Sequence, residues 1–399
     1  MDQIVAHSGV VKQTVYNYFS GKDALFKATV EQLLTESRLE LSLDWYELNA
    51  REFITKVARA QLKLLQTPAN MDFLRLLVKE SRRFPELQTM YACSIPGPVI
   101  EFIAGYIMQC PTAAPRLKAN SAAALTLAWT FRAILTGYAT LTNLTTLVRE
   151  TLPVRSVFIP FIARLFEAIL AEPGPAIETL TASGPGAAET GLLGAEEAAQ
   201  FFRSGAPAKI SAKRLAILRA AVNTYNRHGF AAASMDEVAQ AADVSKQTIY
   251  QHFGSKNKLY AAVFQEVLAR MGDLNLGQEA SLSDFCRAHG EHVRRPWLLE
   301  YCRVVIGESQ SFPGESGLLM LYFVSLGRSR LEQILRAMAS ARQVTGQAEP
   351  ELLLAVLIRS LLGSYILFRQ IYVLGENPYL CETGLISAIE RLAYLSFVV

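Results

Sequence analysis

Two short segments of the sequence carry the same polar side chains at the same spacing. Residues 12–14 and residues 246–248 both read Lys-Gln-Thr. A glutamine amide can form two hydrogen bonds with adenine, and lysine and threonine can bond to bases or to phosphate oxygens. A tyrosine or histidine further along each segment can reach phosphates. The candidate DNA-contacting residues are Lys12, Gln13, Thr14, Tyr16, Tyr18 and Lys22 in the first segment, and Ser245, Lys246, Gln247, Thr248, Tyr250, His252 and Lys256 in the second.

Some of these residues have a structural alternative. Tyr16 and Tyr250 could pack in a hydrophobic core, and Lys22 and Lys256 could be ordinary solvated lysines. Phosphate contact is the favoured interpretation for all four, because the tyrosines follow the threonines and Lys256 lies at a helix N-terminus, where backbone N–H groups attract phosphate.

The sequence around the second segment predicts the elements that would position these side chains. Ser234 and Glu237 have the spacing of a capping box, so a helix begins there. Asp243 can adopt the left-handed backbone of a tight turn, and Ser245 can cap a following helix that ends before Gly254. An earlier helix, residues 212–227, would precede this pair. Two short helices joined by a three-residue turn form a helix-turn-helix, whose second helix enters the major groove.

The two segments belong to a longer internal repeat. Residues 1–34 align with residues 235–268 without gaps and share twelve identities. The likeness continues in residues 75–85 against 303–313 and in residues 128–138 against 355–365. One unit of roughly half the length of this 399-residue chain is therefore present twice.

Apolar residues recur with a helical period in most of both copies, which predicts an all-α fold built as a tandem duplication. Each copy would contain a helix-turn-helix domain followed by a helical regulatory and dimerisation domain. A segment rich in Gly, Pro, Ala and Ser separates the copies and is typical of a flexible linker. The predicted domains are 1–42 (helix-turn-helix without its first helix), 43–171 (regulatory), 172–208 (linker), 209–270 (complete helix-turn-helix) and 271–399 (regulatory).

Composition restricts the class of protein. The net charge is only +3, yet residues 209–256 contain seven Lys and Arg against three Asp and Glu, so basic charge is concentrated in one domain. Five scattered cysteines without a CxxC pair argue against a disulfide framework and favour a cytoplasmic location. The longest apolar runs contain arginines and predict buried helices, with no membrane partner. We find no phosphate-binding loop, catalytic triad or carboxylate cluster, and we expect no enzyme activity and no cofactor.

The motif carries a family resemblance. Residues 235–259, which read MDEVAQAADVSKQTIYQHFGSKNKL, resemble the DNA-binding domain of the TetR family of bacterial transcriptional regulators. The Glu-Ser-x-x-Phe-Pro segments at 80–85 and 308–313 resemble the C-terminal domain of its AcrR/AefR-like branch. The resemblance implies a repressor that dimerises through a four-helix bundle and places two recognition helices on a palindromic operator. It also implies a hydrophobic small-molecule effector that releases the DNA.

Ordinary members of that family carry one unit and form homodimers, whereas this chain carries two. We therefore expect an intramolecular pseudo-dimer, in which the last two helices of each copy pack as a bundle. Association of two such chains into a further homodimer is a possibility that the sequence does not decide. A flexible linker of this length spans about 35 Å. The predicted bundle helices lie near residues 121–142, 156–170, 349–374 and 385–399.

The first copy departs from the pattern in two respects. Met1 aligns with Met235, so the helix that should precede the motif is missing. Either the true start lies upstream of Met1, or the first domain has decayed and binds DNA weakly. Val11 replaces the capping Ser245, and residues 17 and 18 differ from 251 and 252, which predicts an asymmetric operator. The alternative function is a ligand-binding or protein-interaction module with degenerate DNA binding.

Two further groups could do chemistry. Cys286, His289 and His292 are spaced three residues apart, but Gly290 is expected to interrupt the helix. A partly exposed polar face is therefore favoured over a metal site. The recurring acids and arginines could form buried ion pairs or contact a ligand, and ion pairing is favoured. These recurring residues are Glu80, Glu308, Arg132 and Arg359.

Overall fold

The computed structural model describes residues 2–36, 38–80, 83–143, 153–171, 211–341, 349–366 and 382–396. The regular elements among these residues are all helical, which confirms the predicted all-α fold. The linker predicted at residues 172–208 lies outside the described residues.

In the first repeat, two short helices and one longer helix form the motif, and the helices that follow form the regulatory domain. A short 3₁₀ helix, Leu43–Glu47, connects the two parts. The α-helices are α1 (Asp2–Ser8), α2 (Lys12–Tyr18), α3 (Lys22–Glu36), α4 (Ala50–Leu65), α5 (Pro68–Glu80), α6 (Glu86–Ser94), α7 (Pro96–Gln109), α8 (Pro115–Lys118), α9 (Ser121–Asn143) and α10 (Arg155–Ala171).

The second repeat follows the same order, with one additional helix at its start and, among the described residues, no counterpart of the short helix α8. Residues 367–381, which include the end of the helix predicted over 349–374, lie outside the described residues. The helices are α11 (Ala212–Ala232), α12 (Met235–Ala241), α13 (Lys246–Phe253), α14 (Lys256–Met271), α15 (Leu282–Val293), α16 (Pro296–Gly307), α17 (Pro313–Ser325), α18 (Arg328–Ala341), α19 (Glu349–Ile366) and α20 (Glu382–Ser396).

Local side-chain chemistry sets the ends of α12 as the sequence predicts. Ser234 Oγ accepts a hydrogen bond from the Asp236 backbone N–H at 3.1 Å. The Glu237 carboxylate accepts one from the Ser234 backbone N–H at 3.3 Å. Together these bonds complete a capping box, which satisfies donors that the first turn of a helix leaves free.

The turn and the second helix of the motif are confirmed as well. Asp243 adopts φ 52°, the left-handed conformation that a short polar side chain tolerates. Ser245 Oγ accepts a hydrogen bond from the Thr248 backbone N–H at 3.1 Å and caps α13. Gly254, at φ 78°, ends the helix in a conformation that favours glycine.

Helix α11 covers the motif of the second repeat, and no described residue of the first repeat takes that place. Val238 and Leu259 are fully buried beneath this layer. The matching residue of Val238 is Ile4, which is 43% exposed, and Leu25, which matches Leu259, is half-buried. Burial of a large apolar side chain contributes about 1.5–3 kcal/mol, so among the described residues these two positions contribute less in the first motif than Val238 and Leu259 do in the second.

The two repeats pack on each other through three pairs of helices. Helix α9 lies along α19, α10 packs on α20, and α5 packs on α16. Buried apolar side chains of both repeats join one continuous core. The apolar faces of the last helices in each repeat are thus covered by the other repeat of the same chain.

One described segment, Thr89–Gln109, is long and apolar enough in composition to cross a membrane. It comprises α6 and α7, which are separated at Ile95. Half of its most apolar stretch is buried within the protein, as is usual for core helices of a bundle.

The expected polar face at Cys286, His289 and His292 is wrong, because all three side chains are buried. Helix α15 also continues through Gly290, where an interruption was expected. The physical reason is tertiary packing: α18, α19 and α20 all contact α15. This packing outweighs the penalty of roughly 1 kcal/mol for a glycine inside a helix.

The expected ion pairing is found at Glu308, but its partner is not Arg359. Glu308 pairs with Lys79 of the first repeat, with 2.9 Å between Nζ and Oε1. The Arg359 guanidinium donates to the Val324 carbonyl instead. In the first repeat, the Arg132 guanidinium interacts with the Tyr91 hydroxyl. Helix α16 places Glu308 against α5 because the two repeats pack there, a contact that local sequence does not encode.

The missing cap of α2 leads to a stability prediction. Val11 provides no capping hydrogen bond and is 69% exposed. We expect Val11→Ser to stabilise α2 by about 1 kcal/mol, because a serine can accept the Thr14 N–H as Ser245 accepts that of Thr248. Amide hydrogen exchange of residues 14–18 should slow by about fivefold.

Two variants provide controls for this experiment. Val11→Ala removes the exposed valine without adding a cap and should leave the exchange rates close to those of the parent protein. Ser245→Val removes the matching cap and should speed exchange in α13. Equal exchange in the Val11→Ser and Val11→Ala proteins would show that capping does not limit the stability of α2.

Candidate nucleic-acid interface

Helix α13 has one buried face and one polar face. Ile249 and Phe253 are buried among the helices of the second repeat. Because residues four apart share a helix face, these two side chains fix which side of α13 faces away from the core. Thr248 is half-buried, and the exposed predicted DNA-contacting residues are Ser245, Lys246, Gln247, Tyr250 and His252.

Helix α2 of the first repeat repeats this arrangement. Val15 is buried and Phe19 is half-buried, so the same side of the helix faces the core. Thr14 is half-buried like its counterpart Thr248. The exposed predicted residues are Lys12, Gln13, Tyr16, Tyr18 and Lys22. Each repeat therefore exposes one set of polar and aromatic side chains on the second helix of its motif.

An aspartate holds the lysine of this helix in both repeats. Lys246 Nζ lies 2.8 Å from Asp236 Oδ2, and Lys12 Nζ lies 2.8 Å from Asp2 Oδ1. The hydrogen bond to its aspartate raises the pKa of each lysine, and the bond to Lys12 lowers the pKa of Asp2. A DNA phosphate would compete with the aspartate for the same ammonium group. Residues 2 and 236 are both aspartate at matching positions of the repeat. This shared residue is the sequence signal that could have indicated the ion pair with lysine.

The hydroxyl groups at the start of α13 serve the helix itself. Ser245 Oγ and Thr248 Oγ1 lie 2.8 Å apart, in addition to the capping bond. In the first repeat, Gln13 Nε2 donates to Asn17 Oδ1 at 3.1 Å, which orients the glutamine amide along α2. Gln247 and the exposed aromatic residues of both helices are thus the side chains most available for base or phosphate contact.

Lys256 makes contacts that the sequence did not indicate. Its Nζ donates to the Ala231 carbonyl at 3.2 Å and lies 4.6 Å from the centroid of the Phe230 ring. Burial lowers the pKa of this lysine. These contacts fasten the start of α14 to the end of α11. The matching Lys22 is exposed. Phosphate contact by either lysine stays a prediction.

Arg214 is a further residue that sequence reasoning missed. Its guanidinium lies 4.3 Å from the centroid of the Phe253 ring and donates to the His252 carbonyl at 3.3 Å. A cation at the C-terminus of a helix stabilises the helix through its dipole. Arg214 therefore supports α13 from α11. Arg214 and His252 are 38 residues apart in the sequence, so no local sequence pattern indicated this contact.

Comparison with known proteins identifies the motif that forms this interface. The model of "Bacterial regulatory proteins, tetR family" matches residues 1–29 and residues 217–263. The model of "AefR-like transcriptional repressor, C-terminal domain" matches residues 52–128. Within the tetR model, the segment 1–29 covers α1, α2 and about half of α3. The segment 217–263 covers most of α11, all of α12 and α13, and about half of α14.

Individual relatives agree with the family models. The HTH-type transcriptional regulator RutR of Escherichia coli K12 is 32% identical over 113 residues, or 28% of this chain and 48% of that protein. The HTH-type transcriptional repressor SCO4008 of Streptomyces coelicolor is 34% identical over 93 residues, 21% of this chain and 47% of that protein. The HTH-type transcriptional activator FasR of Mycolicibacterium smegmatis is 49% identical over 53 residues, 13% of this chain and 24% of that protein.

These matches span about half of each relative's length or less. The chain resembles the family in sequence and in its all-helical fold. Its two motifs both match the model of the tetR family of bacterial regulatory proteins, so the chain carries the amino-terminal motif of that family twice.

Proposed function

We propose that this protein is a cytoplasmic DNA-binding transcriptional regulator, with repression as its default action. Its two motifs would place α2 and α13 in the major groove at the two halves of a pseudo-palindromic operator. The observation that carries the proposal is α13, a fully capped helix in a family motif, which exposes Lys246, Gln247, Tyr250 and His252. An effector that binds the regulatory helices would control DNA binding.

We further propose that one chain acts as a pseudo-dimer. The packing of α9 on α19 and of α10 on α20 supports this, because these are the final helices of the two repeats. The pairing of α5 with α16 supports it independently. Arg75 Nε donates to Ser309 Oγ at 2.8 Å, and Gln310 Nε2 donates to Asp72 Oδ1 at 2.5 Å across the same contact.

At the contact between α5 and α16, the residue at one matching position of the repeat is not the same in the two copies. Lys79 and Gly307 occupy matching positions in the repeat. A Cβ atom at Gly307 would lie 3.5 Å from the Lys79 Cβ, so the two positions face each other. Lys79 also reaches the buried Glu308, at 2.9 Å. Two first repeats would set lysine against lysine, and two second repeats would leave Glu308 without this cation. The contact therefore favours pairing of unlike repeats.

Binding to the DNA upstream of the protein's own gene tests the main proposal. A gel shift of the full chain with this fragment, repeated at several salt concentrations, should show affinity that falls as salt rises, because phosphate contacts release counterions. An unrelated fragment of equal length serves as the control. Absence of binding, also with a protein extended upstream of Met1, would favour the ligand-binding or protein-interaction module.

The glutamines of the two helices should read different half-sites. We expect Gln247→Ala to weaken operator binding by about 1–3 kcal/mol and to relax base preference in one half-site only. Gln13→Ala should act on the other half-site. Gel shifts with base substitutions in each half of the operator measure both effects. Loss of preference in the same half-site for both variants would contradict the proposed docking.

Release of Lys246 from its aspartate should strengthen DNA binding. Asp236→Asn removes a carboxylate that competes with phosphate, so we expect higher affinity and a salt dependence steeper by about one phosphate contact. Asp2→Asn is the matched variant in the first repeat. Unchanged affinity and unchanged salt dependence in both variants would show that these lysines do not contact the DNA.

The pairing of unlike repeats leads to a further prediction. Gly307→Lys sets a second lysine against Lys79, and we expect it to destabilise the protein by about 1–3 kcal/mol in urea unfolding. Gly307→Ala adds a methyl group at ordinary contact distance and is the control. Combining Gly307→Lys with Lys79→Gly should recover part of the loss, because the lysine can then face Glu80. Equal stability of the Gly307→Lys and Gly307→Ala proteins would contradict this pairing.

A further inference from the structure

A small, largely apolar cavity lies inside the second repeat, where it meets the first. Helices α15, α16, α17 and α19 form most of its wall, and α9 of the first repeat contributes Gly137, Thr140 and Leu141. The space open to the centres of water-sized molecules is about 50 Å³. A cavity needs roughly 10–15 Å³, measured in this way, to hold one water molecule, so this one can hold a short organic group.

Polar groups without partners face this apolar space. Arg359 lines the cavity and is 9% exposed. One of its nitrogens donates to the Val324 carbonyl, but its Nε and Nη2 have no hydrogen-bond partner among the described residues. Ser360 and His289 also line the cavity, and Ser360 Oγ and His289 Nδ1 likewise lack partners. Buried polar groups are normally paired, and a buried charge without a partner is strongly unfavourable.

The charge states of these groups define what the cavity would accept. Burial lowers the pKa of Arg359 to about 10, so the guanidinium is cationic at neutral pH. Burial and the charge of Arg359 lower the pKa of His289 to about 3, so this imidazole is neutral. The carboxylates that act on Arg359 have partners elsewhere, since Glu332 pairs with Arg328 and Asp273 accepts from the Gly327 N–H. The cavity therefore offers one positive charge and neutral polar groups.

The first repeat places a hydroxyl beside the same arginine. Arg132 matches Arg359 in the repeat, and the Arg132 guanidinium and the Tyr91 hydroxyl each oppose the effect of burial on the pKa of the other. The residue that matches Tyr91 in the second repeat is Leu319, which has no polar group. A hydroxyl partner in one repeat is thus replaced by an apolar side chain in the other. Among the described residues, the second arginine therefore has no matching hydroxyl partner.

We propose that this cavity binds one small organic carboxylate per chain, with its carboxylate on Arg359 and its apolar part against the helix walls. A carboxylate matches the guanidinium through two parallel hydrogen bonds, and the apolar lining excludes a fully hydrated inorganic anion. The regulatory meaning of this site rests on the proposed function. Helices α16 and α17 contact α11 and α14, so the ligand would act on elements that support α13.

Binding of acetate and propionate to the full chain without DNA tests the site. We expect both acids to raise the melting temperature in a saturable manner, with calorimetric titration giving one site per chain. Acetamide and propionamide have nearly the same shape without the charge, and they should bind at least tenfold more weakly. Equal binding of acids and amides, or no binding of either acid, would overturn the proposal.

Two substitutions test the role of the arginine. Arg359→Met should abolish the effect of the acids and raise the melting temperature of the ligand-free protein, because the unpaired charge is removed. Leu319→Tyr should supply the internal partner found in the first repeat and also abolish binding, whereas Leu319→Met should retain it. Undiminished binding in the Arg359→Met and Leu319→Tyr proteins would overturn the assignment. Since DNA is absent from these measurements, their outcome is independent of the operator gel shift, and each proposal can fail alone.

Discussion

Burial of the apolar faces of the last helices of each repeat is the constraint on which the rest of the structure depends. Helices α9 and α10 of the first repeat pack on α19 and α20 of the second. Isolated, each pair would expose a wide apolar surface to water, which is unfavourable in proportion to its area. Within this chain the two repeats cover each other. The positions of the motifs, of the α5–α16 contact and of the cavity all follow from that packing.

A fixed partner allows the two halves to differ. A homodimer must place the same residues on both sides of its interface, but an interface between unlike repeats can place Lys79 against Gly307. The same freedom applies to the buried arginines, since Arg132 lies beside the Tyr91 hydroxyl, whereas Arg359 has no matching hydroxyl among the described residues. Helix α11 covers the second motif, and no described helix covers the first motif in the same way.

Sequence alone predicted the features that depend on neighbouring residues. The capping box at Ser234, the turn at Asp243 and the ends of α13 are all local, and the structure confirms them. The packing of the last helices was expected from the repeat, but other features that depend on distant contacts were not predicted. The continuous helix through Gly290 and the buried His289 require α18, α19 and α20 around α15. Among the candidate DNA-contacting residues, exposure was predictable from helix periodicity, whereas the ion pairs to aspartate and the contacts of Lys256 were not.

The central claim is that one chain supplies both recognition helices to one operator. The most direct test is native mass spectrometry of the full chain bound to a short duplex that contains the operator, at increasing protein concentration. The account predicts one chain per duplex as the first complete complex, with amide exchange slowed on binding in both α2 and α13. Two chains on every bound duplex, with protection restricted to α13, would contradict it.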